Sequence, residues 1–140
     1  MGIELSNQVR QVLDGPNIAH LATLQPDGAP KCDPVWVGRD GDRLVVGTHA
    51  ETLKARNAGH DPRVALSVVG RDNPYEEVQV RGVVIDHEPD PDLEVMDQLA
   101  RKYTGEPFPW RDGHGRIALI IEVTQARHHL LPFDPLPPGR

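Results

Sequence analysis

Apolar residues recur along this chain in two periods. Near the N-terminus Leu5, Val9, Val12 and Leu13 fall at helical spacing, so residues 4–13 read as a short amphipathic helix that Gly15-Pro16 stops. Residues 18–24 are almost continuously apolar and predict a buried strand, with His20 inside it as a hydrogen-bonded core residue. Pro26-Asp27-Gly28 is a turn, because proline presets φ and glycine accepts a positive one. Residues 30–37 form the next strand. Pro34 has no N–H for a ladder and marks an edge or a bulge there. Arg39-Asp40-Gly41-Asp42 is a hairpin turn into Leu44-Val45-Val46, a third strand that breaks at Gly47-Thr48. These three strands predict a meander.

Asp61-Pro62 restarts the chain, and residues 63–69 give a fourth strand. Val78, Val80, Val83 and Ile85 carry a fifth, with a bulge expected at Gly82 and with Gln79 and Arg81 on the opposite face. Asp90 reads as an N-cap and Pro91 as the first residue of a longer helix whose apolar face is Leu93, Met96, Leu99, Ala100 and Tyr103. Asp92 and Glu94 at its start and Arg101 and Lys102 at its end match the helix dipole, and Gly105 ends it. Pro107-Phe108-Pro109-Trp110 is a rigid aromatic loop, and residues 116–123 are the last long strand. The expected fold is mainly β (α+β): a small six-stranded antiparallel barrel with a short helix after the third strand and a longer one before the last. The reading gives one domain over residues 1–140, with the N-terminal helix in 1–16 and a proline-rich extended tail over 131–140.

Composition sharpens this picture. Gly and Pro number 13 and 14 in 140 residues, so turns are dense, as short strands require. The formal charge of −6 argues against a general nucleic-acid binder, which needs a broad basic face. No run of apolar residues is long enough to span a membrane, and the first residues lack the basic and apolar regions of a signal peptide. Cys32 is the single cysteine; it excludes an internal disulfide, fits a reducing cytoplasm and reads as a small semi-buried side chain. Within this acidic chain, residues 43–63 hold four basic and two acidic residues. Thr52 or Glu51 opens a short helix there and Gly59 closes it, so Thr48, Thr52, Lys54 and Arg56 gather at a strand end and a helix start. Helix N-termini attract anions, and Lys and Arg add full charges. The same features also describe an ordinary solvated helix start that binds nothing.

Dinucleotide, phosphate-loop and nucleophile-elbow motifs are absent, and the seven histidines do not fall at metal-ligand spacing. His128 and His129 are neighbours on a strand and point to opposite faces. No metal site and no catalytic acid–base pair is predicted.

A resemblance of pattern remains. The run Ala19-His20-Leu21-Ala22-Thr23-Leu24, Pro26-Asp27-Gly28, Pro30 and Asp33-Pro34-Val35-Trp36 is similar to the opening of the pyridoxamine 5′-phosphate oxidase-like split β-barrel family. Thr48, Lys54-Ala55-Arg56-Asn57 and Asp61-Pro62-Arg63-Val64 resemble that family's cofactor-phosphate segment and the strand after it. Asp72-Asn73-Pro74-Tyr75 with Val78, Val80-Arg81-Gly82 and Leu99-Ala100-Arg101-Lys102-Tyr103-Thr104-Gly105 resemble the branch of deazaflavin (coenzyme F420)-dependent oxidoreductases. The resemblance runs from about Ala19 to Leu130. It implies a homodimer with two cofactor sites at the subunit interface. Thr48, Thr52, Lys54 and Arg56 would hold the cofactor phosphate, with Asn57 capping or orienting the loop. Pro34, Val35 and Trp36, with Val46 and Gly47, would line the tricyclic ring, and Gln79 would approach the ring or ribityl chain. Trp36 reads equally as a packing aromatic, as do the loop aromatics Tyr75 and Trp110, which would otherwise reach a substrate pocket. Many flavin-binding relatives carry Ser-Arg-Lys where this chain has Thr52-Leu53-Lys54; the missing arginine at Leu53 weakens the case for FMN, and Arg56 is the residue that would substitute for it. The implied activity is hydride transfer from reduced deazaflavin to a conjugated small-molecule acceptor. An FMN-dependent enzyme of the same fold, or a non-catalytic flavin- or deazaflavin-binding protein, are the alternatives.

Overall fold

Residues 2–137 are described in the computed structural model of the chain, so the last three positions of the expected tail lie outside the described residues. Helix α1 spans Asn7–Asp14 and starts later than the apolar spacing predicts, because the Ser6 side chain takes the cap by accepting from the Val9 N–H. Gly15 follows it in an extended conformation, as expected of a residue before proline. The strands are β1 (Ala19–Leu24), β2 (Pro30–Val35), β3 (Gly38–Asp40), β4 (Arg43–His49), β5 (Arg63–Val69), β6 (Glu76–Pro89) and β7 (Arg116–Leu130). Helix α2 (Leu53–His60) lies between β4 and β5, and α3 (Glu94–Thr104) between β6 and β7.

The strands form one antiparallel sheet of seven in the order β2-β1-β5-β6-β7-β4-β3. This corrects the expected six-stranded barrel twice. The turn at Gly41, which has φ 62°, closes a hairpin onto the additional short strand β3. The predicted meander is also broken. β1 and β2 pair at one edge of the sheet, whereas β4 pairs with β7 near the other edge. The chain crosses between them in the two residues Trp36 and Val37. Among the described residues no ladder joins β2 to β3 or β4, so the sheet stays open along that seam. Pro34 sits on the edge strand, where its missing N–H costs no ladder bond.

The core fills the inner face of the sheet. Leu21, Leu44, Val46, Val68, Val80, Leu119, Ile121 and Val123 are buried there under Val9, Val12 and Leu13 of α1 and Ala55 and Ala58 of α2. β1 is buried on one face only. His20 is exposed on the other, so it is not the core histidine that the apolar run suggested, and Cys32 is exposed beside it. β6 shifts register between Arg81 and Gly82, where the bulge was predicted. A Cβ at Gly82 would lie 2.5 Å from the Glu122 carbonyl oxygen, so the close approach there requires glycine. A second shift between Val84 and Asp86 leaves Ile85 exposed.

Helix α3 packs on the opposite face of β4 with a core of its own, made of Leu93, Met96, Leu99, Ala100 and Phe108, with Trp36 against it. It begins at Glu94, later than the predicted Pro91. The residue at its N-cap position, Leu93, is left-handed with φ 60° and supplies no cap. Asp90 does the capping from further back: its buried carboxylate accepts from the Val95 and Met96 N–H groups, both at 3.1 Å. α2 runs through Gly59 to His60, because nothing at Gly59 forces a left-handed exit. Among the described residues no helix is long and apolar enough to cross a membrane.

Candidate functional site

The open seam is where the predicted residues converge. A cleft of about 590 Å³ is lined from one side by Pro34, Val35 and Trp36 and from the other by Gly47, Thr48, His49, Thr52 and Lys54. These two groups come from opposite ends of the strand order, so the sheet must curl to bring them face to face. Met96, Leu99 and Phe108 from the α3 core floor the cleft, with Ile18 and Arg116 at its margin.

The polar end of the cleft is the start of α2. Thr52 is its N-cap, and its Oγ1 accepts from the Ala55 N–H at 3.4 Å. The first helical backbone bond runs from the Arg56 N–H to the Thr52 carbonyl, so the N–H groups of Leu53 and Lys54 stand outside the helix's own ladder. Two threonine hydroxyls meet here at 3.0 Å. The Thr52 hydroxyl donates to the His49 carbonyl at 2.9 Å, which leaves Thr48 as the donor in the contact between the two. Both hydroxyl protons are therefore committed. An anion at this point meets the Lys54 ammonium and the free N–H groups first, and gains a hydroxyl only if Thr52 rotates away from His49. Thr48 is 4% exposed, which makes it a support for Thr52 more than a surface of its own.

Charge reinforces that arrangement. The lining holds Lys54, Arg116 and His49 and no carboxylate, in a chain of net charge −6. The Arg116 guanidinium is held over the Phe108 ring, 4.9 Å from its centre. His49 Nδ1 accepts from the Glu51 N–H, so in the neutral ring the proton sits on Nε2. At the apolar end Trp36 stacks on Tyr103 with ring centres 5.5 Å apart and planes 8° from parallel. The Tyr103 hydroxyl donates to the Asn17 carbonyl and accepts from the Val37 N–H, which fixes the ring. Burial raises the Tyr103 pKa above the usual phenol value.

Seven of the sequence-predicted residues thus share one cleft: Pro34, Val35, Trp36, Gly47, Thr48, Thr52 and Lys54. Four stand elsewhere. Val46 and Gly47 are adjacent on β4 and face opposite sides, which puts the Val46 side chain wholly in the core. Asn57 is buried, and its Nδ2 donates to Thr23 Oγ1 at 3.1 Å, tying α2 to β1. Arg56 is two residues from Lys54 on a helix, so it projects from a different side and is exposed. Gln79 lines a separate hollow on the outer face of the sheet, with His20, Ser67, Arg81 and Arg127. Tyr75 packs edge-on against Phe133, and Trp110, 69% exposed, packs against Phe108.

His49, Arg116, Met96, Leu99, Phe108 and Ile18 belong to the cleft without having been predicted. His49 follows Thr48 directly, and the strand end itself pointed to it. Arg116 is brought in by the pairing of His49 with Arg116 across β4 and β7, a long-range register with no local signal. Met96 and Leu99 were read as core, which they are; they also form the floor.

Residues 5–130 match the sequence profile of the family described as Pyridoxamine 5′-phosphate oxidase. A solved F420 reductase is 33% identical with a TM-score of 0.81, covering 88% of this chain and 98% of its own. A conserved hypothetical protein from Mycobacterium tuberculosis shares the fold at 21% identity and TM-score 0.75, over 99% of this chain and 95% of its own. So does a putative 5-nitroimidazole antibiotic resistance protein from Bacteroides thetaiotaomicron, at 18% identity and TM-score 0.71, over 91% and 85%. No curated protein matches the chain.

Proposed function

Because the chain belongs to the pyridoxamine 5′-phosphate oxidase family, we propose that it is an F420-dependent oxidoreductase that reduces a conjugated organic small molecule. The observation that carries this reading is the seam cleft. It has a cationic end free of carboxylates at the start of α2 and an apolar end at Pro34, Val35 and Trp36. That donor set fits a phosphate-bearing tricyclic cofactor. Lys54 and the N–H groups of Leu53 and Lys54 hold the phosphate, with Thr52 joining by rotation and Thr48 bracing it. Trp36, fixed from behind by Tyr103, and the strand backbone at Pro34 and Val35 set the plane of the ring. Gly47 lets Met96 and Leu99 of α3 pack directly on β4, which builds the floor beneath that site. When bound, the reduced deazaflavin supplies a hydride, and the protein's share is binding, orientation and exclusion of water. In this reading the protein is a homodimer, and its second copy brings Gln79 toward the site from the outer face of the sheet.

A side-by-side fluorescence titration of the purified protein with F420 and with FMN tests the proposal. Much tighter F420 binding is the expected result. Tighter FMN binding would move the protein to flavin chemistry, and binding of neither would leave the basic stretch around Lys54 a structural feature only.

A further inference from the structure

A second cleft, also of about 590 Å³, adjoins the first, and Ile18 and Trp36 line both. Beyond them its walls are Val69 and Pro74 on one side and the Tyr103 ring on the other, with His20, Arg71 and Thr104 as its further polar groups. The lining contains no carboxylate. Ile18 and Val69 are 42% and 40% exposed, so apolar surface stands open beside the Trp36 ring. Among the described residues the Arg71 guanidinium makes no hydrogen bond and no ion pair, and its neighbour Asp72 does not engage it. Its backbone, by contrast, is fixed. The Arg71 N–H donates to Asn17 Oδ1 at 2.7 Å, Asn17 Nδ2 donates to the Val12 carbonyl at 2.8 Å, and the Asn17 carbonyl accepts from Tyr103 at 2.7 Å. One asparagine thus holds α1, the loop that carries Arg71, and the tyrosine beneath Trp36 in a single arrangement.

Resting on the cofactor reading above, we propose that this second cleft is the acceptor site and that it selects planar conjugated molecules bearing a carboxylate. The flat body lies along Ile18, Trp36 and Val69, next to the cofactor cleft, and the carboxylate reaches Arg71. An unpaired guanidinium on an anchored backbone offers a two-pronged contact that a neutral ester or amide cannot match. The backbone that carries Arg71 and the Trp36 ring on Tyr103 are set before the ligand arrives, so only the exposed Arg71 side chain is ordered on binding.

The test uses the full chain and two probes of equal shape, 2-naphthoate and 2-naphthamide, titrated calorimetrically with and without F420. Arg71→Gln should weaken naphthoate about tenfold, the loss of one charge-assisted contact at a partly open site. It should leave naphthamide and F420 affinities unchanged. Lys54→Ala should leave naphthoate unchanged. Equal losses for acid and amide, no loss for the acid, or displacement of F420 by naphthoate would each overturn the assignment. Failure of the unmodified protein to bind F420 would instead overturn the cofactor reading, while the acid-to-amide ratio still reports on Arg71.

Discussion

At the scale of single residues, Lys54 and Arg56 part company. Both are basic and both lie on α2, but only Lys54 lines the cleft. Lys54→Ala should weaken F420 binding by roughly ten- to a hundredfold, the range for a charge-assisted bond to phosphate. The double variant Lys54→Ala/Arg56→Ala should add little to that loss in a fluorescence titration if Arg56 acts only outside the cleft. A comparable further loss would show that Arg56 reaches the cofactor, and an unchanged affinity in the double variant would sink the site assignment. Gly47 is the other decisive residue. A Cβ there would lie 2.3 Å from the Met96 sulfur and 3.3 Å from a Leu99 methyl carbon, so a side chain forces α3 away from β4. Gly47→Ala should cost about 1–3 kcal/mol in denaturant unfolding, the range for overpacking. A double-mutant cycle with Met96→Ala should be strongly non-additive.

At the scale of elements, α3 is held at both ends by groups that its own sequence does not advertise. Asp90 caps it across the left-handed Leu93, so Asp90→Ala should cost about 1–2 kcal/mol by leaving the buried Met96 N–H and the half-buried Val95 N–H without their partner. Thermal unfolding measures this directly. Lys102, in the last turn, donates to the carbonyls of Leu13 and Val37 and so ties α3 to the end of α1 and to the crossover between β2 and β3. Burial lowers its pKa to about 8; Asp14 pulls it back up, and Arg39 pushes it further down. The unfolded chain then binds this proton more tightly than the folded one. Stability from this group is therefore lowest below about pH 8 and rises as pH goes from there toward the ordinary lysine value of 10.5. The stability of the native protein relative to Lys102→Met should increase across that window. A flat difference would mean that the lysine keeps its ordinary affinity for the proton.

At the scale of the molecule, the outer face of the sheet is the surface that the fold leaves open, with His20, Ser67, Gln79, Arg81 and Arg127 around one hollow. A homodimer that uses it should run in light scattering at twice the 15.5 kDa chain mass. Ser67→Glu with Gln79→Glu, a pair facing each other across β5 and β6, should drive the equilibrium to monomer and weaken F420 binding with it. A dimer that survives both changes would place its interface elsewhere.

Much of this architecture was legible in the chain. The turn at Asp27-Gly28, the bulge at Gly82, the edge position of Pro34 and the cap at Thr52 each follow from the chemistry of one residue against its near neighbours, and local rules suffice for those. Lys54 with Thr52 was visible as a candidate anion site for the same reason. What only the tertiary structure decided is which strand pairs with which. The two-residue crossover at Trp36-Val37 sends the chain to the far edge of the sheet, and no local pattern distinguishes that from a meander. The same long-range pairing places Arg116 beside His49, decides that Val46 rather than Gly47 faces the core, exposes His20 and brings Arg71 to Trp36 through Asn17. Periodicity states which residues of an element share a face. Which element that face will meet is set by the sum of distant contacts, and those are read only in the fold.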